Sequence, residues 1–220
     1  MAKGKSALAM ALKKKIGSND EIQKVSHWID SGFPPLNKAI SGRYDGGFPS
    51  GRIVEIFGPP SAGKTFLATP AMVSAQKQEG LAVFLDHENS FDVGLAVANG
   101  LNADEDDGQW VYKQPDTFEE SVELIGTILK LVRDEELIPA DAPICIVADS
   151  LASMVPNSKA EKFDKMAEGT AKDKDQLNMN DNTALARATS ANFPTLALWA
   201  RKYNACIIFL NQVRTKIGVL

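Results

Sequence analysis

Residues 52–66 read RIVEIFGPPSAGKTF: an apolar run, a glycine-bounded turn and the start of a helical pattern in direct succession. Few folds satisfy that order outside a parallel α/β sheet, where such a turn joins the C-terminal end of a buried strand to a helix. The turn itself, Gly58, Pro59, Pro60, Ser61, Ala62, Gly63, Lys64 and Thr65, fits G-x-x-x-x-G-K-[ST]. Gly58 and Gly63 let backbone N–H groups turn inward, and a helix N-terminus adds partial positive charge, so the loop suits a phosphate. In that role Lys64 reaches the β- and γ-phosphates and Thr65 offers its hydroxyl to Mg²⁺. Phe66, just past the motif, is grouped with it as lining the nucleotide site.

Downstream, apolar runs alternate with helical patterns: a helix over 64–78, LAVFLD, a helix from Asp92, VYKQ, a helix over 117–133, ICIVAD, a long helix ending near Tyr203, and ACIIFLNQ. The alternation predicts an α/β fold, a mainly parallel twisted sheet with helices on both faces. Residues 1–40 are expected to form a small N-terminal helical appendage and linker, and 41–220 the core. In the appendage Ala7, Leu8, Met10, Ala11 and Leu12 precede three lysines at 13–15, the charge favoured at a helix C-terminus, and this helix is expected to pack on another surface. Residues 30–51 read as turns around one short helical piece, and 156–181, polar and weakly periodic, as a long surface loop.

A formal net charge of −4 excludes nucleic-acid binding by bulk charge but not by a local basic stripe. Cys145 and Cys206 sit in apolar runs without metal-ligand spacing and read as small buried hydrophobes, which fits a reducing cytoplasm. No apolar stretch approaches the ~20 residues that cross a bilayer, so no membrane partner is expected.

Asp149 ends ICIVAD, where a carboxylate would hold Mg²⁺ through its water shell. Asp86, His87 and Glu88 end LAVFLDHE, and an acceptor there would align the water that attacks a γ-phosphorus; on spacing alone these candidates compete with each other and with a helix cap. NQVRTKIG follows ACIIFL, placing an amide at a strand end and Arg214 and Lys216 just beyond, suited to a nucleic-acid backbone.

Taken in order, GRIVEIFGPPSAGKT, FLDHENSFD, VADS and FLNQVRTKIGV, with the QPD at 114–116, resemble the bacterial RecA family of DNA recombinases over residues 41–220. The resemblance implies a RecA-like ATPase core using ATP and Mg²⁺. It assigns Glu88 to water activation, Asp149 and Thr65 to the metal, Gln212 to sensing the γ-phosphate, and Asp92 to contact with the base. Two loops would hold single-stranded DNA: the first at 157–181 with Arg187 just after it, the second beginning at Gln212, with Arg214 and Lys216 near the backbone and Ile217 wedging between bases. The implied activity is a DNA-dependent ATPase that polymerises as a helical filament on single-stranded DNA and promotes pairing and strand exchange with homologous duplex DNA. A RecA-like ATPase motor or regulator without strand exchange is the alternative.

The sequence also departs from the family pattern. Leu95 stands where an aromatic residue commonly stacks on adenine, the first loop is long, and Asn182 and Pro194 replace residues of other chemistry. The compact chain and a shortened N-terminal region fit a divergent, phage-encoded member. Leu220 falls inside the second loop, so the sequence is expected to be part of a longer protein with weak activity on its own.

Overall fold

The β-branched runs form the strands of a five-stranded parallel sheet in the computed structural model, which describes residues 2–17, 24–107, 109–172 and 181–213. In chain order the elements are α1 (Ala2–Ile16), β1 (Trp28–Ile29), α2 (Pro34–Ser41), β2 (Phe48–Pro49), β3 (Arg52–Gly58), α3 (Lys64–Lys77), β4 (Leu81–Asp86) and α4 (Val93–Ala98). They continue with β5 (Trp110–Lys113), α5 (Phe118–Asp134), β6 (Ile144–Asp149), α6 (Asn157–Ala167), α7 (Ala184–Lys202) and β7 (Ala205–Gln212). The sheet order is β3-β7-β6-β4-β5, and β1 pairs antiparallel with β2. An α/β core with helices on both faces is therefore present.

Alternation of side chains across the strands divides the core into two layers. Ala82, Phe84, Cys145, Val147, Cys206 and Ile208 face α3, whose small residues Ala68, Ala71 and Ala75 allow close approach. Val83, Leu85, Ile144, Ile146, Ile207 and Phe209 face α5 and α7 through Phe118, Ile125, Leu129, Leu196 and Ala200. Every residue of β4 and β6 is buried, as strands covered on both faces must be. Burial also explains the two cysteines: it pushes the Cys145 thiol up to about 12 and Cys206 well above its ordinary value, leaving them inert.

β3 differs from the fully buried strand its composition suggests. Its only neighbour among the described residues is β7, and Phe57 is 69% exposed. Residues 156–181 differ as well. The stretch expected as loop contains α6, a helix with no buried residue, started by Pro156 and tied to the turn before α7 by Lys162 Nζ, which donates to the Asp181 carboxylate at 3.0 Å. Residues 7–16 of α1 are exposed throughout.

Candidate nucleotide site

Parallel register brings the strand ends to one edge. Gly58 of β3 aligns with Gln212 of β7, Asp149 of β6 with Leu210 of β7, and Asp86 of β4 with Asp149. In open parallel sheets ligands collect at this edge. A cleft of about 400 Å³ lies there, lined by Pro60, Ser61, Ala62, Gly63, Lys64, Thr65, Glu88, Ser90, Asp149 and Gln212.

The loop between β3 and α3 turns through Ser61 at φ 58° and Gly63 at φ 82°, the latter standing directly before the first helical turn. Left-handed backbone at Gly63 favours glycine, and a side chain there would meet nothing within 4 Å, so the requirement is conformational rather than steric. Lys64 Nζ donates to Pro59 O at 3.0 Å and Gly58 O at 3.4 Å, which holds the ammonium over the loop. Thr65 Oγ1 donates to Asp149 Oδ2 at 2.6 Å. Burial raises the Asp149 pKa, opposed by the Thr65 hydrogen bond and Lys64 and reinforced by the nearby charges of Glu88 and Asp86.

Of the three acidic and imidazole candidates after β4, the geometry separates the roles. Asp86, 1% exposed, accepts from the backbone N–H groups of Glu88 (3.0 Å), Ser90 (3.1 Å) and Phe91 (3.1 Å), and from Tyr112 Oη (2.9 Å). It shapes the turn and lines no part of the cleft. Tyr112 is pushed up to about 12 by desolvation first, then by the Asp86 carboxylate it donates to. His87 Nε2 lies 2.6 Å from Ser121 Oγ of α5, while its backbone N–H donates to Asp149 O at 2.7 Å. Desolvation lowers the His87 pKa, against Asp86, Glu120 and Asp116, which raise it. Glu88 alone of the three lines the cleft, and its Oε1 accepts from Gln212 Nε2 at 2.7 Å.

The other expected residues lie further out. Phe66 is exposed on α3 beside the loop. Asp92 caps α4, its Oδ1 accepting from Leu95 N at 2.9 Å, and Leu95 is 53% exposed one turn along. Arg187 is exposed in the second turn of α7, with Nη1 donating to Thr183 Oγ1 at 3.2 Å. Arg214, Lys216 and Ile217 lie outside the described residues. Two hydroxyls not expected as a pair, Ser150 and Ser153, also donate to Glu88 Oε1. Ser153 carries no motif signal, because it is a short 3-10 turn at Leu151–Ser153 that brings it back to Glu88.

The residues present suit a nucleotide phosphate with Mg²⁺. Among the described residues no cluster of three or more His, Cys, Asp or Glu side chains could cage a metal. Mg²⁺ needs no such cage, since it keeps waters and takes phosphate oxygens alongside one or two protein oxygens, a role that Thr65 would fit directly and Asp149 through a water. No described helix is long and apolar enough to cross a membrane.

The family model described as the RecA N-terminal domain matches residues 4–220. Protein RecA of Treponema denticola is 38% identical over 206 residues, covering 94% of this chain and 42% of that protein. Protein RecA of Desulforapulum autotrophicum is 36% identical, covering 94% of this chain and 50% of its own length. For Protein RecA of Oceanobacillus iheyensis the figures are 35% identity, 100% of this chain and 58% of the relative. The chain thus spans about half the length of the curated relatives it matches. With a glycine-bounded turn from strand to helix, acids at the strand ends and a family match over nearly every residue, the chain belongs to the RecA family.

Proposed function

We propose that this chain is the nucleotide-binding core of an ATP-dependent recombinase, a cytoplasmic protein that forms a homo-oligomeric filament on single-stranded DNA and promotes pairing and strand exchange with homologous duplex DNA. The observation that carries the reading is the 2.7 Å hydrogen bond from Gln212 Nε2 to Glu88 Oε1. It joins the residue suited to activate water to the strand end from which Arg214, Lys216 and Ile217 follow, so a change at the γ-phosphate is felt at the DNA-facing segment.

ATP, when bound, supplies the γ-phosphoryl group, and Mg²⁺ offsets its negative charge. The loop from Gly58 to Gly63 would cradle the phosphates, and Lys64 would leave its loop carbonyls to meet the β- and γ-oxygens. Thr65 and Asp149 would hold the metal, directly and through water. Glu88 orients the attacking water and takes its proton. Asp92 and Leu95, at the exposed start of α4, would border the base, with Leu95 offering contact area but no ring to stack. Arg187 would contact the DNA backbone from α7.

The test is the rate of ATP hydrolysis with and without single-stranded DNA, with Lys64→Ala as the blank. Stimulation by the DNA, weakening as salt rises, supports the recombinase reading. Hydrolysis indifferent to DNA would favour an ATPase motor or regulator of the same fold.

A further inference from the structure

We infer that Ser153 is a positioning residue for Glu88, an inference that rests on the reading of Glu88 as the group that activates water. Among the described residues, every hydrogen bond to the Glu88 carboxylate falls on Oε1: Gln212 Nε2 donates at 2.7 Å, Ser153 Oγ at 2.9 Å, and Ser150 Oγ donates as well. The two serine oxygens are 3.1 Å apart. Each hydroxyl has one proton, and with both protons on the carboxylate that approach is proximity rather than a further bond.

The seat of Ser153 is built from both sides. Ser153 N donates to Ser150 O at 2.9 Å, closing the 3-10 turn. The following Met154 is buried at 4% in the layer shared with α5 and α7, and Val155 O accepts from Phe118 N at 3.0 Å. The hydroxyl is therefore held by its own turn and by the buried residue that follows it, independently of the Gln212 amide.

That independence gives it a task Gln212 cannot perform. If the Gln212 amide turns toward a γ-phosphate, Glu88 loses one donor, and the serine hydroxyls keep the carboxylate in place. An oxygen that accepts several donors is the poorer base, so Oε1 serves as the anchor and Oε2 is left to orient water and take a proton.

The experiment measures steady-state ATP hydrolysis with single-stranded DNA for the 220-residue chain and its variants, alongside thermal midpoints and binding of a non-hydrolysable ATP analogue. Ser153→Ala is expected to lower kcat about tenfold, the scale of one hydrogen bond to a charged group, with KM and analogue binding unchanged. Ser153→Thr, which keeps the hydroxyl, restores kcat. Adding Ser153→Ala to Glu88→Gln lowers the residual rate no further. An unchanged kcat in Ser153→Ala, a change confined to KM, or an equal loss in the Glu88→Gln background overturns the inference and leaves the reading of Glu88 standing. Full-rate hydrolysis by Glu88→Gln overturns that reading and the inference with it.

Discussion

Lys64 and Glu88 line one cleft but have separable tasks, and substitution should separate them. Lys64→Ala removes a cation whose hydrogen-bond partners among the described residues are loop carbonyls, so the fold should hold. Nucleotide affinity should fall about 10- to 100-fold, the worth of a charge-assisted hydrogen bond to phosphate, as read by titrating a fluorescent ATP analogue. Glu88→Gln keeps the shape and can still accept from Ser153, so binding should persist while hydrolysis slows by about 10²–10⁴. Retained turnover in that variant would remove Glu88 from the chemistry. His87 gives a pH signature. Its folded pKa lies below the ordinary value of 6.5, so the neutral ring contributes stability that is fully present above 6.5 and is lost as pH falls through the depressed value. His87→Gln should therefore lose less thermal midpoint than the wild type between neutral pH and the range below 6.5; parallel curves would show that the ring titrates freely. Lys64, Thr65 and Asp149 were legible in the sequence because each sits at a strand end or in a spaced motif. Ser153 and the Tyr112–Asp86 bond were not, because they depend on a turn and a cross-strand neighbour that no local pattern encodes.

Among the elements, α5 and α7 pack more tightly than their patterns reveal. A Cβ added at Gly126 of α5 would come within 2.8 Å of Trp199 Cη2 and Cζ3 on α7. Gly126→Ala should cost about 1–3 kcal/mol in overpacking, against about 1 kcal/mol gained in helix propensity. The net effect is a lower thermal midpoint, and truncating the ring with Trp199→Leu should turn the same Gly126→Ala change neutral or stabilising. If Gly126→Ala is harmless beside the intact tryptophan, the ring has room to yield. The sequence located α3 and α5 closely because their ends are chemically marked: Gly63 before α3, and Thr117, whose side chain accepts from Glu120 N at 3.2 Å, before α5. α6 escaped notice for the opposite reason. It buries no residue, so it needs no apolar period, and its contacts run through charge and backbone: the Lys162–Asp181 pair and Asn157 N donating to Glu119 Oε2 at 2.9 Å.

At the scale of the whole molecule, the alternation of strands and helices was enough to expect a parallel sheet, since helices covering both faces leave few other solutions. Strand order was not readable, because a buried apolar run carries no mark of its neighbour; β7 inserts between β3 and β6 although it follows both in sequence. That insertion is what assembles the cleft, bringing Gln212 beside Lys64 and Thr65 from the start of the core and Glu88 and Asp149 from its middle. A ligand in the cleft therefore ties together segments that separate completely on unfolding, and it binds only the folded chain. At a concentration of 100 Kd such a ligand adds about 2.7 kcal/mol of stability. For a chain of this size that raises the thermal midpoint by about 5–10 °C. MgATP should produce this shift in the wild type, ATP with a chelator in place of Mg²⁺ a smaller one, and Lys64→Ala should cut the MgATP shift to about half or less. An undiminished shift in Lys64→Ala would place nucleotide binding elsewhere than at this edge of the sheet, and no shift in any variant would mean that the strand ends do not close around a nucleotide in this chain.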